Sequence, residues 1–195
     1  MLVGLLADTH VPYRASELPE AVVASLRGVD LILHAGDVDE PWALAPLQAL
    51  APIHAVRGNY HLLECSSGGH TFPAVVELEV AGFQIALTHG HLPGLAGMAW
   101  KVWALLRQLA GYGNFPARER AIVRVLLRRF PRADIIVFGH THRFYQTQWG
   151  RTWLINPGAA LLTSYFGTSL EPSVVHLQLE PGERPEIRRI PLRFK

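Results

Sequence analysis

The stretch Leu2-Val-Gly-Leu-Leu-Ala-Asp-Thr-His10 sets the architecture. Its first six residues form an unbroken apolar run of strand length, and a run without polar alternation marks a strand buried on both faces. Leu31 to His34, Ile53 to Val56 and Ile135 to Phe138 repeat the pattern with β-branched residues. Between the first two runs, Leu18 to Arg27 has Pro19 and Glu20 at a helix start and Gly28 just past its end, so the chain opens as a β-α-β unit. Pro41 to Leu50 predicts a second helix, shortened or kinked by Pro46.

Beyond residue 73 the pattern changes to hairpins. Val75–Val80 and Phe83–Leu87 flank Gly82, and Tyr145–Trp149 and Thr152–Ile155 flank Gly150-Arg151. Val174–Leu179 and Ile187–Leu192 alternate apolar and polar residues, and Ala117–Phe130 reads as an amphipathic helix. The expected fold is α/β, a four-layer α/β/β/α sandwich of two mixed sheets with helices on the outer faces, in a single domain over residues 1–195.

Composition narrows the function classes. The chain has 195 residues, 49% of them hydrophobic and 17% charged, enough apolar material for a core without a staple. The net charge is +2, and the positive residues, nearly all arginine, are spread along the chain instead of forming a stripe suited to nucleic acid. Cys65 is the one cysteine, which excludes a disulfide framework and a thiolate metal cage and fits a reducing compartment. The N-terminal run lacks a basic flank and a cleavage pattern, so a cytoplasmic protein is expected. Val80 to Trp100 is free of Asp, Glu, Lys and Arg, but it contains Gln84, His89, Gly90, His91 and Pro93, which argues against a membrane span.

The segment 94–116 reads as an inserted apolar helical stretch. Leu95, Met98, Val102, Trp103, Leu106 and Leu109 exceed one helical stripe, and Trp100 adds a further apolar side. The open coverings are the protein's own core, a homodimer contact through 95–110 or a lid over the functional site, while Lys101 and Arg107 make a thin basic face for attachment to a membrane surface.

Polar residues able to hold metal recur where the apolar runs end: Asp8-Thr-His10, Gly36-Asp37, Gly58-Asn59-Tyr60-His61, Thr88-His89-Gly90-His91 and Gly139-His140-Thr141-His142. In an α/β sheet the carboxyl ends of parallel strands share one rim, so these groups converge. Residues i and i+2 of an extended segment project to the same side, which lets each of Asp8/His10 and His140/His142 address one point. Carboxylate, imidazole and amide oxygen without thiolate suit Mn, Fe, Zn or Ni. Seven such side chains exceed one tetrahedral ion, and two divalent ions sharing a carboxylate would use them all. Arg14, Arg57 and Arg143 stand beside these groups, where arginine either clamps phosphate oxygens or faces water.

The ordered set D-x-H, G-D, G-N, H-G-H and G-H-x-H resembles the signature of the calcineurin-like metallophosphoesterases, in particular their compact bacterial and archaeal phosphodiesterase branch, to which the retromer scaffold subunit is also related. The likeness runs from about Leu2 to Gly158. It implies a metal-dependent phosphoesterase, with a diester favoured, in which a hydroxide held between two divalent ions attacks a small phosphoester. It also implies Mn as the leading metal, with Fe, Zn or Ni as alternatives.

The resemblance implies that Asp8, His10 and His142 bind one ion, that Asp37 bridges, and that Asn59, His89 and His140 complete the second. Asn156-Pro-Gly158 resembles the family's last turn, with a structural role. Many members have His directly after the metal-binding Asn, assigned to leaving-group protonation. Tyr60 stands there in this chain, leaving His61 or water as the general acid. His34 and His91 are expected to orient ligands or contact phosphate, or else simply to pack. The alternative function is a non-catalytic scaffold of the same fold that holds a protein partner through an apolar surface.

Overall fold

A computed structural model describes residues 1–58, 71–90, 115–165 and 168–194. Sheet A has the order β12-β11-β1-β2-β3, with β1 (Leu2–Leu6), β2 (Leu31–His34), β3 (Ile53–Ala55), β11 (Ser173–Gln178) and β12 (Glu186–Pro191). Sheet B has the order β4-β5-β6-β8-β7, with β4 (Val75–Val80), β5 (Phe83–Thr88), β6 (Ile135–Val137), β7 (Phe144–Trp149) and β8 (Thr152–Pro157). β1, β2 and β3 run parallel, as do β5, β6 and β8, while β11, β12, β4 and β7 join antiparallel. Both sheets are therefore mixed, as expected.

The unbroken apolar runs are explained by where their two faces go. Val3, Leu5, Leu31 and Leu33 of sheet A meet Ile85, Leu87, Ile135 and Val137 of sheet B in a core between the sheets. The alternate residues Leu6 and Ile32 face outward, against Val22 and Leu26 between β1 and β2 and Leu44 and Leu47 beyond β2. On the other outer face, Ala86, Ile136 and Leu154 pack against Ile122, Val123 and Leu126. Burying such side chains contributes roughly 1.5–3 kcal/mol each. Gly4 matters here because a Cβ at this position would lie 2.5 Å from Leu26 Cδ2, so its absence lets the helix layer sit close on β1.

The helices differ in extent from the sequence pattern. α1 spans only Glu20–Ser25, with Pro19 at its N-cap. The Pro41–Leu50 stretch divides into a 3-10 turn, Pro41–Leu44, and a single α turn, α2 (Ala45–Gln48). Pro46 lies in the first turn of α2, where its missing N–H costs nothing. α3 (Phe115–Arg129) ends in Arg128 and Arg129, cations placed favourably at a helix C-terminus. A small ribbon, β9 (Thr163–Tyr165) with β10 (Thr168–Leu170), has no counterpart in the sequence reading. No helix among the described residues is long and apolar enough to cross a membrane. The greater part of the 94–116 stretch lies outside the described residues, as do Asn59, Tyr60, His61, Cys65 and His91.

Candidate metal centre

The parallel strands of both sheets end at one rim, and five residues there adopt a left-handed backbone: Asp8, His10, Asp37, His140 and His142, with φ between 47° and 74°. Among the described residues, Ala81 in a hairpin turn is the other non-glycine with positive φ. Such a conformation costs an ordinary residue about 1–2 kcal/mol, so the surrounding structure must hold it. The backbone does so. Asp8 N–H donates to Gly36 O (2.9 Å) and His10 N–H to Asp37 O (3.0 Å), tying the β1 and β2 loops together. Ala160 N–H donates to Ala7 O (2.9 Å) and His140 N–H to Asp8 Oδ1 (3.3 Å), which ties in the loops of sheet B.

Ligand atoms of Asp8, His10, Asp37 and His142 lie within 4.8 Å of one another, all buried. His89 and His140 stand on the other side, with ring centroids 5.3 Å apart, while His10 and His142 are separated by 5.5 Å. Asp37 Oδ2 lies between the two groups, 3.3 Å from His10 Nε2 and 3.4 Å from His89 Nε2. His142 Nε2 is 3.5 Å from Asp8 Oδ1. Every described residue of the expected ligand set is thus brought to this one site, and Asn59 belongs to the stretch that is not described.

The protonation pattern points to a cation. His89 Nδ1 donates to Ala35 O (2.8 Å), because a carbonyl can only accept. In the neutral ring Nε2 is then an acceptor, and it faces a carboxylate oxygen. Asp8 Oδ2 is buried with no hydrogen-bond partner among the described residues. Burial, and then the charge of Asp37, push the Asp8 carboxyl well above its ordinary range. Burial acts upward on Asp37 as well, but the surrounding His89, His10, His140 and His142 outweigh it and hold that carboxyl below its usual range. His142 is lowered to about 3, first by burial and then by His10 and Arg14. Imidazole nitrogens around two buried carboxyl groups, one with an oxygen that has no hydrogen-bond partner among the described residues, form a donor set that fits divalent cations.

Supporting residues surround this set. His34 Nδ1 accepts the Gly36 N–H (3.3 Å), so its Nε2–H donates to Thr9 Oγ1 (3.1 Å), and Thr9 in turn donates to Asp37 O (3.3 Å). His34 is fully buried and lowered to about 3 by that burial. Its ring acts on the Asp37 loop through Thr9. Asn156 Nδ2 donates to Gly139 O (2.7 Å) and Thr141 Oγ1 (3.0 Å), and Asn156 Oδ1 accepts the Gly158 N–H (2.9 Å), so the last turn fixes the His140–His142 loop.

Asp39 was not anticipated from the sequence. It is fully buried, with Oδ1 3.5 Å from His10 Nδ1, on the side of the ring away from Asp37. A carboxylate behind a ligating histidine orients the ring and raises its basicity. The signal was the i, i+2 spacing of Asp37-Val-Asp39, the same spacing that singled out Asp8/His10. His176, by contrast, lies elsewhere, bonded through Nε2 to Ser25 O (2.7 Å).

A family model described as the calcineurin-like phosphoesterase superfamily domain matches residues 1–180. The chain belongs to this superfamily. Among curated calcineurin-like relatives, a "probable metallophosphoesterase" of Methanothermobacter thermautotrophicus is 33% identical over 184 residues, covering 94% of this chain and 88% of the relative. Another, from Methanocaldococcus jannaschii, is 31% identical over 159 residues, covering 82% of this chain and 68% of that protein.

Solved structures extend the likeness of fold. Vps29 of Entamoeba histolytica complexed with zinc has a TM-score of 0.68 at 21% identity, covering 98% of this chain and 99% of that one. An archaeal phosphodiesterase has a TM-score of 0.64 at 18% identity, covering 98% and 100%. The phosphoesterase superfamily is metal-dependent, and the cluster of carboxylates and imidazoles lies where its α/β sandwich brings the strand ends together.

Proposed function

We propose that the protein hydrolyses phosphoesters, diesters in preference to monoesters, with two divalent cations at the rim and manganese as the leading metal. The observation that carries this reading is the position of Asp37 Oδ2, within 3.4 Å of an imidazole nitrogen on either side. Asp8, His10, His142 and Asp37 would hold one ion, and Asp37, His89, His140 and Asn59 the other. Cations bound there lower the pKa of water so that hydroxide is available near neutral pH, and they offset charge on the phosphoryl oxygens.

The chain's own residues supply positioning. Asp39 fixes the His10 ring, the His34–Thr9 pair fixes the Asp37 loop, and Asn156 fixes the His140–His142 loop. His61 or water protonates the leaving oxygen, and His91 contacts phosphate or orients a ligand. The preference for diesters is supported by the resemblance to the compact branch and by the fold shared with an archaeal phosphodiesterase. The scaffold reading would gain from eroded ligands, and the six described ones are intact.

Metal analysis of the protein as isolated, followed by hydrolysis of an aryl phosphodiester and an aryl phosphomonoester under Mn²⁺, tests the reading. Activity that disappears with metal in Asp37→Ala supports it. No hydrolysis of either ester, together with unchanged metal content in Asp37→Ala, overturns it.

A further inference from the structure

The loop that follows His10 carries a cation, Arg14, whose side chain is paired with nothing among the described residues. Arg14 N–H donates to His10 O (2.7 Å), closing one turn directly after that histidine. The turn is anchored at two other points, by His10 N–H to Asp37 O (3.0 Å) and by Glu40 N–H to Val11 O (3.2 Å). A backbone held so firmly presents its side chains from a fixed base beside the metal centre. The Arg14 side chain is exposed, and its guanidinium has no hydrogen bond or ion pair among the described residues. Its charge nevertheless reaches the buried cluster from outside, acting on both Asp8 and His142.

Arg143 differs, because it already has a partner. Arg57 is exposed as well, with its backbone N–H donating to Pro73 O (2.8 Å), but Arg14 is the arginine whose charge acts on both Asp8 and His142. A cation that is exposed, unpaired among the described residues and rooted one turn from His10 is suited to an anion arriving from solvent. Guanidinium offers a planar fork of donors that matches two phosphate oxygens at once.

We infer that Arg14 is a substrate-positioning residue that binds the non-bridging oxygens of the phosphoryl group on the Asp8–His142 side of the rim. This rests on the phosphoesterase reading, and it adds a residue outside the metal ligands that selects for an anionic phosphoryl group and fixes its orientation. Substrate is then gripped from two directions, by the centre below and by Arg14 at the mouth.

The test uses the metal-loaded full chain with orthophosphate as the probe. Affinity is read from the phosphate-dependent rise in Tm, alongside metal content and the kinetics of aryl phosphodiester hydrolysis. Arg14→Ala is expected to bind phosphate about 10–100-fold more weakly and to lose a similar factor in kcat/KM, chiefly through KM, with metal content unchanged. Arg14→Lys restores part of the phosphate affinity, since it keeps the charge and loses the fork.

Wild-type phosphate affinity and KM in Arg14→Ala would overturn the role of Arg14 and leave the hydrolase reading standing. Arg14-dependent phosphate binding in a protein that hydrolyses no phosphoester would support the anion site and overturn the hydrolase reading.

Discussion

At the tip of the β4–β5 hairpin, Ala81 and Gly82 take positive φ in succession, 50° and 82°, and a Cβ added to Gly82 would meet nothing within 4 Å. At the rim the left-handed residues are Asp8, His10, Asp37, His140 and His142, and the glycines among them have no free space. A Cβ at Gly36 would lie 2.5 Å from His89 Nδ1, one at Gly139 2.7 Å from Ala35 O, and one at Gly58 would overlap Asp37 Oδ1. The hairpin needs glycine for its torsion alone, as a two-residue turn with both φ values positive does. Gly58 and Gly139, whose φ is not in the left-handed region, are needed for room. One turn can be altered at local cost, whereas the other set transmits an added atom to a residue of the proposed metal site.

Five variants or conditions test that contrast. The largest effect belongs to Asp37→Ala, which removes the oxygen lying between the two imidazole groups. Bound metal is expected to fall with hydrolysis, read by elemental analysis and a phosphoester assay. Gly58→Ala comes next, because its methyl group displaces the Asp37 carboxylate. Metal affinity should drop about 10–100-fold, the range seen when ligand support is lost, with the far-UV circular dichroism unchanged. Wild-type metal affinity in Gly58→Ala would break the comparison.

Asp39→Asn should weaken metal binding by about 10-fold, since it keeps the shape but loses the charge behind His10. The effect is read by titration with a chelator.

A stability effect of a different kind is the pH dependence of the metal-free protein. His34 is neutral in the folded state down to about pH 3, whereas its unfolded counterpart gains a proton below about 6.5. Its contribution is therefore complete above about pH 6.5 and is lost as pH falls toward 3, at up to about 1.4 kcal/mol per pH unit. His34→Gln should flatten the slope of urea-unfolding stability over that interval. The smallest effect is at the hairpin, where Gly82→Ala should cost about 1 kcal/mol in the same measurement and leave metal content and hydrolysis unchanged.

How far the sequence could be read follows from the physics of each element. Runs such as Leu2–Ala7 and Ile135–Phe138 were legible because burial on two faces leaves no room for polar residues. The hairpin at Ala81-Gly82 was legible from its turn residues. The β9–β10 ribbon was not, because Thr163–Leu170 shows neither alternation nor a strong turn pair. Helix length was overestimated at α1, while the interruption of the Pro41–Leu50 stretch was legible from Pro46 itself. At the site, motif spacing found the ligand candidates but missed Asp39 and Thr9, whose contacts depend on how two loops pack. It also left Arg14 undistinguished from Arg57 and Arg143, since neither the pairing of Arg143 nor the reach of Arg14's charge to Asp8 and His142 is written in the sequence.

The pairing of β1 also bears on synthesis. This strand, which leads into Asp8, lies between β2 and β11, with Leu2 opposite Gln178 and Leu5 opposite Val175. A nascent chain emerging from the ribosome can join β1 to β2 early, but the other edge of β1 stays open until the chain has grown past residue 178. That edge is apolar and fully hydrogen-bonding, the kind that recruits other strands, and closing so long a loop is slow. Intermediates during synthesis should therefore be prone to aggregate, and chaperone demand should fall once β11 docks.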